Sequence, residues 1–273
     1  MVDQEHGPLG QNSDYPDQYD PGQLHGIARS LGREAIGVDD GPLPFYGEDI
    51  WNAYELSWLN ERGKPMVALM EMRVPFDSPN IVESKSLKLY LGSFNQWQVE
   101  TPQQIAETIT QDVSAVVGAE VMVELTPLFQ LGGFALSTLP GKCIDDLDVE
   151  AELYEVDASL LNTLEGETSE AYHSHLLRSC CPVTGQPDWA SVVIEYQGTK
   201  ICEEGLLKYL ISFRNNQEFH EQCVERIFMD ISRQCAPDRL TVYARYTRRG
   251  GIDINPVRSS EPLQQLNLRL IRQ

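Results

Sequence analysis

The sequence predicts an α+β fold in which strands and pairs of helices follow one another twice along the chain. Three observations carry this expectation. Hydrophobic periodicity switches between strict alternation and helical spacing in the same order in each half. One helical segment recurs in its letters 119 residues later, counting from Leu87 to Leu206. The 41% of residues that are hydrophobic are broken into short runs, none near the ~20 consecutive apolar residues that cross a bilayer.

Residues 1–45 are rich in Gly, Pro, Asp and Gln and predict an irregular arm without a core of its own. From about Asp49 the pattern becomes regular, and Met66 to Val74 is apolar and β-competent. Glu83 to Phe94 reads as a helix. A second helix start follows, with Thr101 as N-cap, Pro102 in the first turn and Gln104 completing a capping box. Ile105, Ile109 and Val113 give this helix one apolar face, and Gly118 stops it. Val121, Val123 and Leu125 alternate as a half-buried strand does.

The second half repeats the order. Ser191 to Tyr196 predicts a strand with Val192, Ile194 and Tyr196 on one face, and Glu203 to Phe213 predicts a helix. Phe219 to Gln234 predicts another, its inward stripe made of Phe219, Cys223, Ile227 and Ile231. Leu240, Val242, Ala244 and Tyr246 alternate as the next strand. Each half therefore reads β, two helices, β. At the offset of 119, Leu87, Tyr90, Leu91, Ser93 and Phe94 answer Leu206, Tyr209, Leu210, Ser212 and Phe213. Agreement between letters and element order favours an internal duplication over chance. The predicted organisation is an arm over 1–45 and two modules over 46–165 and 166–273.

The chain carries 41 acidic and 21 basic side chains, a formal charge of −20. Such a body repels nucleic acid, and no extended basic face exists to release phosphate counterions. Arg245, Arg248 and Arg249 bunch within a few residues, which suits a small phosphorylated ligand better than a polymer. The amino-terminal segment is acidic and lacks the apolar stretch of a secretory signal. The expectation is a cytoplasmic protein whose six cysteines are reduced and mostly buried. None shows the C-x-x-C spacing of a structural zinc site.

The two halves differ in their polar groups. At an offset of 122, Leu59 and Met66 stand where the second half has Cys181 and Asp188, and Phe219-His220-Glu221 has no counterpart after Phe94. Conversely Glu83-Ser84-Lys85 is matched only by Cys202-Glu203-Glu204. One composite site drawing on both halves explains that division simply.

Three segments now bear on function: Cys181-Pro182-Val183-Thr184-Gly185-Gln186-Pro187-Asp188, Glu83-Ser84-Lys85-Ser86-Leu87-Lys88-Leu89-Tyr90, and Ser212-Phe213-Arg214 followed by Phe219-His220-Glu221. Together they resemble the NADPH-dependent 7-cyano-7-deazaguanine reductases, the nitrile reductases of queuosine biosynthesis, in their long, duplicated form. The resemblance spans nearly the whole chain. It implies the tunnelling fold, in which antiparallel sheets carrying two helices join into a barrel, and hence at least a dimer.

It also implies the chemistry. A nitrile becomes an amine by accepting four electrons, so two NADPH are used per turnover and no metal is required. Cys181, rather than its neighbour Cys180, is the nucleophile whose thiolate adds to the nitrile carbon to give a thioimide. Asp188 is the general acid/base, and His220 assists proton delivery. Glu83, Ser84, Lys85, Phe219, His220 and Glu221 are implied on the substrate, the carboxylates accepting the N–H donors of a guanine-like edge. Lys85, Ser86, Lys88, Arg249 and Gly250 are implied on NADPH, with Arg248 and Arg249 both suited to the ribose phosphate. No G-x-G-x-x-G cradle is present. The expected partners are a small deazaguanine nitrile and a second copy of the chain, with neither nucleic acid nor membrane. Read without the resemblance, the same residues leave open a zinc-dependent cyclohydrolase, a non-catalytic purine-binding module, or a cysteine hydrolase releasing ammonia.

Overall fold

The computed structural model describes residues 15–39, 41–130 and 135–273. Its elements in chain order are β1 (Gly26–Ala28), α1 (Arg29–Ala35), β2 (Tyr46–Leu59), β3 (Pro65–Pro75), β4 (Asn80–Val82), α2 (Ser84–Gly92), α3 (Pro102–Val117), β5 (Met122–Pro127) and β6 (Lys142–Cys143). There follow β7 (Thr163–Ser174), β8 (Arg178–Cys180), β9 (Pro187–Ile201), α4 (Glu203–Ser212), α5 (His220–Cys235), β10 (Arg239–Tyr246) and β11 (Ile252–Ser259). The fold is mixed α+β, its long strands pairing antiparallel.

The chain divides into two compact units that are not consecutive in sequence. The first takes Met1–Leu31, Asp49–Ala135 and Arg248–Ile254; the second takes Gly32–Glu48, Leu136–Thr247 and Asn255–Gln273. Strands β2 and β11 each carry the chain across a boundary between the units.

In the first unit β2, β3 and β5 are neighbours in one sheet, with β5 pairing β3 from Ala68↔Pro127 to Arg73↔Met122. Its core gathers Trp51, Trp58, Met70, Met72 and Val74 from the sheet with Leu87, Tyr90 and Phe94 of the α2 region and Ile105, Ile109 and Val113 of α3. The α3 start is built as the sequence predicts. The Thr101 hydroxyl accepts from Gln104 N–H, Gln104 returns the bond, and Gly118 closes the helix in the left-handed conformation.

In the second unit β11, β10, β9, β7 and β6 lie side by side. β10 pairs β9 from Arg239↔Gln197 to Tyr246↔Ala190, and β7 pairs β9 up to Ser174↔Val192. Directly opposed residues share a face of the sheet. Asp188, Val192, Ile194, Ala244 and Tyr246 therefore point one way, and Ser191, Val193 and His173 point the other.

The duplication persists in side-chain detail. Tyr90 donates to Asp112 at 2.7 Å, and Tyr209 donates to Asp230 at 2.7 Å. Ser93 and Ser212 each donate to the carbonyl three residues back, at 2.6 Å. The Tyr90–Phe94 and Tyr209–Phe213 rings meet edge to face at 5.0 and 5.3 Å. Burial and the neighbouring carboxylate push both phenols far above their ordinary range, so each stays a neutral donor.

Several expectations change. The described part of residues 1–45 is not irregular throughout: it holds β1, α1 and a 3₁₀ turn at Pro21–Gln23, while residues 1–14 and 40 lie outside the described residues. The reading β, two helices, β undercounts the strands, because β1, β2, β4, β6, β7, β8 and β11 were not foreseen. Phe219 stands one residue before α5 and is only half-buried, so it is not part of the inward stripe.

Candidate active site

The cysteine motif folds as a hairpin. β8 pairs the start of β9 through Arg178↔Trp189, Ser179↔Asp188 and Cys180↔Pro187. Cys181 then begins the connection. Its N–H donates to the Gln186 carbonyl and its own carbonyl accepts from Gly185 N–H, both at 2.9 Å. Gly185 sits at φ +68°, a conformation glycine adopts without steric cost. The other edge of β8 receives the segment leading into α5: Cys180 N–H donates to the Asn216 carbonyl at 2.8 Å. This second pairing brings Phe219, His220 and Glu221 up to a motif some forty residues earlier in the chain.

Cys181 is buried, as are Asp188 and Glu221. His220 Nε2 lies 3.5 Å from Asp188 Oδ2. The imidazole stacks on the Tyr246 ring with centroids 3.7 Å apart and planes 4° from parallel. His220 Nδ1 is buried without a hydrogen-bond partner among the described residues. A buried polar atom left unpaired costs free energy.

Three further side chains sit behind the pair. The Cys223 thiol lies against Ser179 and Tyr246, and both hydroxyl oxygens are buried without a well-formed hydrogen bond. Burial, followed by the charge of Glu218, pushes the Cys223 thiol well up; burial, then Cys223 and Asp188, does the same to Tyr246. Both therefore stay neutral. Sequence reasoning missed Tyr246, taking it as the last core residue of an alternating strand. Cys180 is held as a strand residue, its thiol 3.8 Å from the Arg214 carbonyl.

The first unit carries the other motif. Glu83 is the N-cap of α2, its two carboxylate oxygens accepting from Lys85 N–H at 2.7 Å and Ser86 N–H at 2.8 Å. Burial, only partly offset by these bonds, raises the Glu83 carboxyl above its ordinary range. Cys202, its counterpart at the start of α4, makes no side-chain cap. The Ser84 hydroxyl lies 3.4 Å from Glu83. Ser86 is buried and fully engaged, donating to the Glu83 carbonyl and accepting from His25 N–H. Lys85 and Lys88, three apart on α2, occupy one helix face.

Arg249-Gly250-Gly251-Ile252 closes the β10–β11 hairpin. Arg249 and Ile252 exchange both backbone bonds, and both glycines take positive φ, as a type I′ turn demands. A Cβ on Gly250 would stand 2.8 Å from Lys88 Nζ, so this glycine and that ammonium are in contact. Glu55 fills the corresponding space at Gly251. Lys88 makes no ion pair among the described residues. Arg248 is exposed and lies over Tyr54 at 4.9 Å. Arg245 does not share in a positive pocket: it is buried, with Gln273, Tyr243 and Asn267 accepting its guanidinium hydrogens.

Fold and site thus define an α+β protein that sets a buried thiol, carboxylate and imidazole around one hairpin, with lysine and a glycine turn elsewhere in the chain. A family model described as nitrile reductase, 7-cyano-7-deazaguanine-reductase N-term, matches residues 15–125, and one described as QueF-like protein matches 187–265. The chain belongs to the NADPH-dependent 7-cyano-7-deazaguanine reductase family. Relatives of that name from Paraburkholderia xenovorans and Paraburkholderia phytofirmans are each 54% identical over 98% of this chain and 99% of their own. One from Desulfotalea psychrophila is 52% identical over 97% of both chains. Among solved structures, an archaeosine synthase QueF-Like in the apo form aligns with 37% of this chain and 99% of its own, at 18% identity and a TM-score of 0.32. Among the described residues no helix is long and apolar enough to cross a membrane.

Proposed function

We propose that this protein reduces the nitrile of 7-cyano-7-deazaguanine to 7-aminomethyl-7-deazaguanine, consuming two NADPH, in the pathway to queuosine. The observation that carries the reading is Cys181, held at the head of the β8–β9 hairpin from which Asp188 meets His220 at 3.5 Å. Identity of 54% to reductases of this name over nearly the whole chain supports it.

The Cys181 thiolate adds to the nitrile carbon while Asp188 gives a proton to the nitrogen, forming a thioimide with no atom lost. Each NADPH, when bound, supplies one hydride. After the first, Cys181 leaves as thiolate and the C=N bond of an imine re-forms; after the second, the amine results. His220 moves the protons these steps need, using the Nδ1 that has no hydrogen-bond partner among the described residues. The neutral Tyr246 ring holds the imidazole flat and excludes water behind it, which strengthens the electrostatics in front. Glu221 and Phe219 at the α5 start, and Glu83 with Ser84 and Lys85 at the α2 start, address the deazaguanine ring.

The residues around the Arg249–Gly250 turn fit a phosphorylated co-substrate. A side chain on Gly250 would collide with Lys88, whereas glycine leaves that ammonium open to a phosphate oxygen. Lys85, Lys88, Arg249 and the Gly250 backbone would hold NADPH, with Ser86 fixing the α2 start rather than presenting its hydroxyl. We further place the units in a tunnelling-fold barrel formed by two copies of the chain in the cytoplasm. The test mixes protein, nitrile and NADPH and counts cofactor oxidised per amine formed. Two is expected; none, with ammonia released, would make the protein a hydrolase.

A further inference from the structure

Among the described residues one group of side chains has the composition and spacing of a metal site, and it lies outside the reaction centre. Cys143 is the last residue of β6, and β6 runs parallel to β7 with Cys143 directly opposite His173. His175 lies one residue past the end of β7, its ring 5.4 Å from that of His173. The Cys143 Sγ and one nitrogen from each ring lie within 4.8 Å of one another, all three half-buried. The strand register places them apart from Cys181, Asp188 and His220. His175 reaches Ser191, an odd position of β9, whereas Asp188 and Val192 occupy the opposite face with Tyr246.

We propose that Cys143, His173 and His175, with Asp145 as fourth ligand, bind a zinc-class divalent cation. Three features favour this. Nδ1 of His173 meets the Pro140 carbonyl at 2.8 Å, and Nδ1 of His175 meets Ser191 Oγ at 2.8 Å. Oxygen partners of this kind fix the ring and tautomer of metal-bound histidines and leave Nε2 to ligate. Asp145 Oδ2 accepts the His175 backbone N–H at 2.9 Å, while Asp145 Oδ1 is buried with no hydrogen-bond partner among the described residues. Such an oxygen, two residues from the cysteine, lacks the partner a cation would be. Thirdly, one thiolate, two imidazoles and a carboxylate are the donors of tetrahedral zinc, too soft for magnesium or calcium.

The size also fits. Tetrahedral zinc with bonds of about 2.3 Å to sulfur and 2.0–2.1 Å to nitrogen sets ligand atoms roughly 3.3–3.6 Å apart. Closing from 4.8 Å asks for about an ångström of side-chain rotation, not a new backbone. Thiolate and carboxylate together neutralise a divalent ion. Arg272 is held on the His175 carbonyl at 2.7 Å, and Lys142 is paired with Glu203. The β6–β7 pairing spans only two residues, so a bound ion would pin the segment before Asp145 to the edge of the sheet.

The test uses the full chain, treated with chelator and titrated with cobalt(II), whose thiolate charge-transfer and tetrahedral visible bands report the ligands directly. Wild type should develop both bands, and zinc should abolish them by competition. Cys143→Ser should lose the charge-transfer band, and His173→Gln should weaken cobalt binding at least tenfold, while Cys181→Ser keeps both bands. Circular dichroism confirms that each variant is folded; His173, near the surface, serves if Cys143→Ser is not. Absence of the bands in wild type, or bands that survive Cys143→Ser and vanish in Cys181→Ser, would overturn the assignment. The cobalt spectrum reads the site without reference to the reductase reaction.

Discussion

Replacing Glu225 by glutamine should cost the second unit about 3–5 kcal/mol, because two buried arginines depend on that one carboxylate. Glu225 lies on α5, one and a half turns beyond His220, and is 2% exposed. Arg33 donates to it through Nε at 3.1 Å and Nη2 at 2.9 Å. Arg258, fully buried on β11, donates through Nε at 3.0 Å and Nη2 at 2.8 Å. Glutamine preserves the volume, so no cavity term enters. It offers one carbonyl oxygen for four donors and turns an amide N–H₂ toward a guanidinium. Arg33 and Arg258 then lose the buried charge of Glu225, and breaking a buried pair is far costlier than replacing it whole. At about 2–4 °C per kcal/mol for a protein of this size class, Tm should fall on the order of 6–20 °C. Urea denaturation followed by tryptophan fluorescence measures the difference. The triple variant Glu225→Leu, Arg33→Met, Arg258→Met should recover most of it, since no charge remains to be neutralised. A Glu225→Gln protein within 1 kcal/mol of wild type would refute the account of how α5, and with it His220, is seated.

Other expectations follow from the same geometry. Asp188→Asn keeps the shape beside His220 but not the proton, and should lower kcat by roughly 10²–10⁴-fold, read as NADPH absorbance, with Tm little changed. Lys88→Met should raise the NADPH KM about ten- to a hundredfold, the worth of one charge-assisted hydrogen bond of ~1.5–3 kcal/mol, and leave nitrile affinity alone. Glu83 has its carboxyl raised by burial, so it favours the fold below the ordinary carboxylate range and loses that contribution as pH rises through its own higher pKa. Wild-type stability minus that of Glu83→Gln should therefore fall with pH across that window and then level off; denaturation at a series of pH values shows the slope, and a difference that rises with pH contradicts it.

Local signals in the sequence were legible where they are chemically self-contained. Thr101, Pro102 and Gln104 specify a helix start from side chains within one turn, and the structure forms those bonds. The Leu-Tyr-Leu-Ser-Phe repeat showed the duplication, and Tyr90–Asp112 with Tyr209–Asp230 extend it to acids that the letters alone did not align. Strand β7 escaped because Thr163 to Glu167 is exposed and carries glycine and acids in place of apolar alternation. Tyr246 as a platform for His220 could not be read from a strand that also buries Leu240, Val242 and Ala244 on the same face. Contacts such as Arg33–Glu225, 192 residues apart, or Cys143 opposite His173, exist only once the strands have chosen their register.

The central claim, that Cys181 is the nucleophile that bonds the nitrile carbon, meets its most direct test in intact-mass spectrometry with the nitrile and without NADPH. Wild type and Cys180→Ala should each gain one substrate mass, and Cys181→Ala none. An adduct on Cys181→Ala, or its loss in Cys180→Ala alone, would contradict the account.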